Sequence, residues 1–135
     1  MAIWLIKTEP DVYSYADLER DGQTVWDGVN NNQALIYIRK VQVGDIALFY
    51  HTGDERQWVG IADVVSESYP DPKLGDPKRA VFDVKAKEKL ETPVTLKTVK
   101  ATPELAEWAL VKNSRLSVVP VSDEQFEILQ RLRNG

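Results

Sequence analysis

The amino-acid sequence predicts an α+β domain built on a mostly antiparallel, strongly curved β-sheet. Short apolar or alternating segments recur between turn residues, which is typical of strands. Capping residues precede several patterns of helical period, which predicts helices between those strands. No repeat, linker or low-complexity tract divides the 135 residues, so we expect a single domain over residues 1–135.

In the first half of the chain, strand and helix signals alternate. Residues 2–7 are apolar on both faces, which predicts a central strand. Ser14 and Asp17 form a capping pattern that begins a short helix. The further elements predicted here are the end of that helix at Asp21-Gly22, an extended segment at 24–26, a helix at 30–40 that buries Ala34, Leu35 and Ile38, and a strand at 46–51.

In the second half, strand signals dominate. Gly60 lies inside a strand pattern, where glycine indicates a bulge or a close approach of another group. Pro93 is expected to end the alternating strand that precedes it. The elements predicted here are a strand at 57–69, a long loop at 70–79, a strand at 80–89, a helix from Pro103 through Leu110, a strand at 116–121 and a terminal helix capped by Ser122 and Gln125.

The composition excludes several classes of site. With no cysteine and one histidine, the chain has neither disulfides nor thiolate metal ligands, and we expect it to need no metal and no cofactor. The net charge is -4, whereas a protein that binds nucleic acid by attraction to phosphates alone is usually basic. Any nucleic-acid partner must therefore be recognised by a pocket and a local basic strip. The basic residues concentrate at Lys85, Lys87, Lys89, Lys73, Lys78 and Arg79, which form either this strip or an ordinary solvated strand face.

The first apolar run, at residues 2–6, is too short for a signal peptide or a membrane span. The sequence therefore predicts a cytoplasmic protein, or a nuclear one in a eukaryote, with no membrane partner.

Four short segments place an aromatic or charged side chain beside a glycine, a proline or a turn. They are Trp4–Pro10, Trp26–Val29, Gly44–His51 and Ser114–Val118. Such junctions lie at the ends of strands and helices, where side chains converge on a cleft. None of the four carries a catalytic signature, so they predict a binding site and not an enzyme.

Five strings of unusual composition run in order from Trp4 to about Leu129: WLIKTEPDVYSYADL, WDGVNNNQA, VGDIALFYHT, GIADVVSESYPDP and SRLSVVPVS. They resemble the EVE domain, a member of the PUA-like superfamily. The resemblance implies a five- or six-stranded β-barrel with helices packed around it. It also implies a cleft related to that of YTH domains, which hold a methylated base in an aromatic cage.

The chain departs from this resemblance at two positions. The family follows Gln-Ala with an arginine and an asparagine, whereas Leu35 and Ile36 follow Gln33-Ala34 here. The helix therefore lacks the family's charged side chain and amide at these positions, so the resemblance does not imply a phosphate contact in this part of the helix.

Two tryptophans are predicted to have different roles, one in binding and one in the core. Trp26 precedes Asp27-Gly28, and its position in the family motif implies that it stacks on a base, the alternative being ordinary core packing. Trp4 lies between apolar neighbours in a strand and is predicted to belong to the core.

Three polar residues are predicted to bind the ligand together with Trp26. Lys7 either donates to a base edge or phosphate, or forms an ion pair at the rim with Glu9 or another carboxylate. Asn31 and Gln33 lie in the first turn of a predicted helix, where their amides suit a base edge, and capping is the alternative.

The other predicted binding residues come from three further segments. His51 is expected to form hydrogen bonds in the cleft or to lie at the surface, without acid–base chemistry. Tyr69 and Asp71 open the proline-rich loop and are predicted to complete an aromatic cage from above. Arg115 and Ser117 are placed on the cleft wall by the family resemblance, with Arg115 as a phosphate contact or an ordinary surface residue.

Together these residues predict a non-catalytic module that binds nucleic acid. The resemblance implies a modified base as the ligand, with methylated or hydroxymethylated cytosine in DNA ahead of RNA. The alternatives are an RNA-binding accessory module of the PUA-like kind and a domain that binds a small molecule or peptide.

Overall fold

The computed structural model of the chain describes residues 1–134. The strands are β1 (Ile3–Thr8), β2 (Gln23–Trp26), β3 (Ile46–His51), β4 (Gln57–Val64), β5 (Tyr69–Pro70), β6 (Ala80–Thr95) and β7 (Val118–Val121). The helices are α1 (Tyr15–Asp21), α2 (Asn32–Ile38), α3 (Leu96–Lys100), α4 (Ala109–Lys112) and α5 (Asp123–Asn134), with a 3-10 helix at Pro103–Leu105.

The strands form one mixed, seven-stranded sheet, which confirms the α+β class. The strand order is β2-β6-β4-β3-β1-β7, and β5 pairs with β6. β1 runs parallel to β3, and the other pairs are antiparallel. β1 therefore lies inside the sheet, and its first four residues are buried, as the two-faced apolar pattern predicts.

The sheet does not close into the barrel that the family resemblance implies. Among residues 1–134, the two end strands β2 and β7 pair with β6 and β1 respectively but not with each other. Helix α2 packs against both β7 and β6 and buries Ala34, Leu35 and Ile38 there.

A buried carboxylate fixes the start of β1 against the turn before β3. Asp45 is 4% exposed, and its two oxygens accept hydrogen bonds from the Ala2 and Gln42 amides and from the Trp4 indole at 2.9–3.0 Å. Without Asp45 the buried Trp4 indole would lose its hydrogen-bond acceptor. Trp4 is thus a core residue, as predicted.

The structure confirms the predicted start of α1 and the predicted irregularity in β4. Ser14 accepts from the Asp17 amide and Asp17 accepts from the Ser14 amide, which completes the capping box. The pairing of β4 with β3 and β6 shifts in register around Gly60, at the predicted irregularity.

Three predictions for the second half were wrong. The strand β6 continues past Pro93 to Thr95, because Pro93 lies between the paired residues Lys89 and Val94, where no ladder hydrogen bond is required. The helix predicted from Pro103 through Leu110 is broken at Trp108, whose backbone is extended (φ -64, ψ 142). The predicted strand at 57–69 is likewise divided into β4 and β5.

One ion pair ties α5 to the sheet and makes stability depend on pH. Hydrogen bonds from the Arg133 guanidinium hold the pKa of Glu88 below its ordinary value of 4.5, and the same guanidinium lies 5.9 Å from the Trp58 ring centroid. A carboxylate with a lowered pKa in the folded state stabilises the fold above its unfolded pKa, and this contribution is lost as pH falls through the folded pKa.

We therefore expect Glu88→Gln to melt below the parent at neutral pH, with the gap shrinking below about pH 4. Melting temperatures measured across a pH series give the result. Glu91→Gln is the matched control, because Glu91 lies exposed on the same strand and forms no ion pair within residues 1–134. A gap that stays constant into acid would contradict this assignment.

Candidate functional site

A cavity of about 610 Å³ opens where the sheet fails to close, between the edge strand β2 and the segment that enters β7. Ligand pockets commonly fall in this range of volume. The lining residues are Lys7, Thr8, Val12, Tyr13, Thr24, Val25, Trp26, Asp27, Gly28, Val29, Asn30, Asn31, Lys73, Arg115 and Ser117.

Trp26 belongs both to this cavity and to the core. Its side chain is 7% exposed, and its ring meets Phe49 edge to face, with centroids 5.3 Å apart and planes at 78°. It also lines the cavity. The two interpretations of Trp26 are therefore compatible, because a ring held by the core on one side is a rigid surface for stacking on the other.

Tyr13 supplies a second aromatic ring, which sequence reasoning missed. Its hydroxyl donates to Asp21 at 2.9 Å, and burial is the largest cause of its raised pKa. The loop that carries it is fixed because the amides of Val12 and Tyr13 both donate to the Glu9 carbonyl at 2.9 Å. The tight turn after Pro10 was a usable signal, since it brings the chain back towards the end of β1.

The turn from β2 to α2 forms another wall. Gly28 has φ 78°, a left-handed conformation that favours glycine and lets the chain reverse after Trp26. Asn31 caps α2, since its Oδ1 accepts from the Ala34 amide at 3.0 Å. The capping alternative thus holds for Asn31, whose amide nitrogen still has donors to offer. Arg79 fixes the turn by donating to the Val29 carbonyl at 3.2 Å.

The charged lining residues give the cavity a positive balance. Lys7, Lys73 and Arg115 line it together with a single carboxylate, Asp27. Lys7 forms no ion pair with Glu9; its ammonium donates to the Ser114 carbonyl at 3.2 Å, and burial lowers its pKa. Such an arrangement suits an apolar ring inside and an anionic group at the rim.

The structure brings some of the predicted binding residues to this cavity and places others elsewhere. Those that line it are Lys7, Trp26, Asn31, Arg115 and Ser117. Those outside it are Glu9, Gln33, His51, Tyr69 and Asp71. Glu9 acts through its backbone carbonyl on the Tyr13 loop, and Gln33 is exposed on α2.

His51 is neither at the surface nor in the cleft, contrary to both expectations. It is 7% exposed, and its Nε2 accepts from the Tyr15 amide at 3.0 Å. Its Nδ1 therefore carries the proton and donates to Glu55 at 2.8 Å. The imidazole joins the start of α1 to the end of β3, a contact distant in sequence.

Tyr69 and Asp71 do not form a cage wall over the cavity. The Tyr69 hydroxyl donates to Asp83 at 2.6 Å, and burial, followed by this hydrogen bond, raises the pKa of Tyr69 to about 12. Asp71 is 6% exposed and accepts from the Lys73 amide at 2.9 Å. From the proline-rich loop, Lys73 is the residue that reaches the cavity.

The basic strip predicted along β6 is divided in the structure. Lys87 pairs with Asp63 at 3.5 Å, whereas Lys73 lies at the cavity. Within residues 1–134, no three His, Cys, Asp or Glu side chains are grouped so that they could hold a metal ion. No helix in the same part of the chain is long and apolar enough to cross a membrane.

The sequence matches the EVE domain family over residues 2–132. Thymocyte nuclear protein 1 from Rattus norvegicus is 28% identical, and the alignment covers 98% of this chain and 74% of that protein.

Solved structures give closer matches. The NMR structure of a protein from Rhodopseudomonas palustris has a TM-score of 0.94 at 40% identity, covering 99% of this chain and 94% of that one. Human thymocyte nuclear protein 1 (THYN1), crystallised in complex with DNA containing 5-methylcytosine, has a TM-score of 0.92 at 28% identity, covering 100% and 99%. An ASCH protein from Zymomonas mobilis, at 11% identity and a TM-score of 0.59, shares the fold alone.

Proposed function

The chain belongs to the EVE domain family, and from this premise we propose that it is a non-catalytic module that binds nucleic acid carrying a modified base. We place the base in the cavity beside Trp26. The favoured ligand is DNA with a methylated or hydroxymethylated cytosine.

The observation that carries the proposal is the aromatic cavity with cations at its rim. Trp26 and Tyr13 line a space of about 610 Å³, and the three lining cations are Lys7, Lys73 and Arg115. Bases stack favourably on aromatic rings, and lysine and arginine contact phosphates. The complex of human THYN1 with DNA containing 5-methylcytosine supports the choice of ligand, since that protein has the same fold at 28% identity.

The chemistry of the lining supports binding over turnover. The hydroxyls that line the cavity belong to Thr8, Tyr13, Thr24 and Ser117. His51, the one histidine of the chain, does not line the cavity, and its ring is engaged by Tyr15 and Glu55, so it is not available to activate any of them. Binding without product formation is therefore the expected behaviour.

A panel of matched oligonucleotides tests the proposal. Burial of one additional methyl group contributes about 0.8 kcal/mol, so we expect about a 4-fold or greater preference for 5-methylcytosine over cytosine in the same DNA sequence. The panel includes 5-hydroxymethylcytosine, the RNA counterparts and a long incubation analysed for product. Equal affinity for unmodified DNA and for both modified DNAs would refute the proposal, and preference for RNA would assign the module to RNA.

The dependence of binding on salt is expected to be mild. Two or three phosphate contacts predict a slope of about -2 to -3 for the logarithm of affinity against the logarithm of salt concentration. Titrations of unmodified duplex DNA at several salt concentrations measure it. A slope near that of a strongly basic repressor, about -10, would show that the protein binds chiefly through an extended phosphate-binding surface.

A further inference from the structure

A second cavity, of about 380 Å³, adjoins the first. Lys7 lines both cavities, so the two are neighbours. The second is formed by Tyr50 at the end of β3, by the turn that follows it and by Lys100 on α3. It lies outside the aromatic cavity, and no residue of the sequence-predicted site other than Lys7 contributes to it.

Its charge is positive without compensation. The lining includes Lys7, Arg56 and Lys100 and no aspartate or glutamate. Within residues 1–134 none of these three cations forms an ion pair with a carboxylate. This positive group stands out locally, because the chain as a whole has 21 acidic and 17 basic residues.

Arg56 is held in place by an unusual backbone conformation. Its φ is 47°, which among the non-glycine residues described is the one positive value. Its carbonyl accepts from the Leu96 amide at 2.8 Å, and its Nε donates to the Gly53 carbonyl at 3.1 Å. The two terminal guanidinium nitrogens make no hydrogen bond within residues 1–134. Conformations of this kind persist where surrounding contacts impose them, and they cluster at ligand-binding sites.

Neither of the neighbouring acidic residues forms an ion pair with Arg56 within residues 1–134. Asp54 and Glu55 line a different depression that shares Arg56 and Lys100, and Glu55 is engaged by His51 at 2.8 Å. Inside the second cavity Tyr50 adds a neutral donor, because burial raises its pKa to about 12 against the opposing charge of Arg56. The Lys7 ammonium lies 5.9 Å from the Tyr50 ring centroid.

We propose that this second cavity binds a phosphate group of the strand whose base occupies the first cavity. The proposal rests on the proposed function. Guanidinium and ammonium groups are the usual protein donors to phosphate, and Lys7 brings the two cavities within reach of one ligand.

The test removes two charges and keeps the aromatic cavity intact. The variant Arg56→Gln/Lys100→Gln is compared with Lys89→Gln/Arg131→Gln, which loses the same charge from positions that line neither these two cavities nor the depression beside Arg56. Titrations with the methylated and unmethylated oligonucleotides are made over a salt series. Lys100→Gln alone is included because it leaves the strained backbone of Arg56 untouched.

We expect Arg56→Gln/Lys100→Gln to lose about one unit of salt slope and roughly 10-fold in affinity for both oligonucleotides. Lys100→Gln alone should show a smaller loss of both salt slope and affinity. The ratio of the two affinities should be unchanged, because phosphate contacts carry no base information. The control variant should keep the parent slope. A double variant that is folded and retains the parent slope would overturn the proposal.

An NMR titration with inorganic phosphate separates a strand phosphate from a free one. Phosphate is expected to shift the Gly53 amide and the Arg56 Nε resonance but not the Trp26 indole. Shifts at Arg56 combined with an unchanged oligonucleotide slope would assign the cavity to free phosphate and overturn its assignment to the strand. If the parent protein shows no preference for the methylated base, the proposed function fails. The phosphate site is judged separately, by whether the double variant loses salt slope.

Discussion

Trp26→Ala is expected to abolish most of the preference for a modified base and also to destabilise the fold. Loss of a stacking surface costs about 1–3 kcal/mol, a 5- to 150-fold loss of affinity for the modified oligonucleotide. Because the ring also packs edge to face on Phe49 and is 7% exposed, truncation should cost about 3–5 kcal/mol of folding free energy. Affinity and melting temperature measured on the same variant separate the two effects.

Trp4→Ala is the matched control. Trp4 is 6% exposed and absent from the cavity lining, so its loss should lower stability by a similar or larger amount and leave the base preference intact. Binding is measured well below the melting temperature of each variant. A folded Trp26→Ala protein that still prefers the modified base would contradict the placement of the base beside this ring.

Gly60→Ala is expected to destabilise the protein by about 3 kcal/mol or more. A Cβ at this position would lie 2.5 Å from Tyr15 Cε1, far inside van der Waals contact. Tyr15 has no room to move: its hydroxyl donates to the Ile61 carbonyl at 2.7 Å and accepts from the Lys87 amide at 3.2 Å. Its ring also meets Phe49 edge to face. Denaturant unfolding of parent and variant measures the change.

A double-mutant cycle with Tyr15→Leu identifies the cause. Tyr15→Leu alone destabilises, because it removes a ring and two hydrogen bonds. If the clash with Gly60→Ala is the reason for the second loss, the two substitutions together should cost much less than the sum of their separate effects. Strict additivity, or a Gly60→Ala protein as stable as the parent, would contradict the close packing of Tyr15 on this glycine.

Features of the fold that depend on neighbouring residues could be predicted from the sequence. The capping box of Ser14 and Asp17, the apolar faces of β1 and the bulge at Gly60 each follow from a few adjacent side chains. Pro93 shows the limit of local rules. Its effect on β6 depends on whether the partner strand requires its missing amide, and that is set by the register with β4.

The parts of the candidate site that escaped prediction are those made by distant contacts. The family resemblance identified Trp26, Arg115 and Ser117, which the structure brings to one cavity. It did not show that β2 and β7 stay apart, which is what opens that cavity. Tyr13 lines the cavity because a turn places it there. His51 lies outside the cavity and accepts a hydrogen bond from the Tyr15 amide, which is 36 positions away in the chain.

The most direct test of the central claim is an intermolecular nuclear Overhauser experiment on the labelled protein bound to DNA with one 5-methylcytosine. Because the base is placed against Trp26, we expect cross-peaks between the cytosine methyl protons and the Trp26 indole ring protons. Cross-peaks to Tyr13 are expected as well, since both rings line the same cavity. A complex in which the methyl group contacts neither ring, while the oligonucleotide is bound elsewhere on the protein, would show that the base does not occupy this cavity.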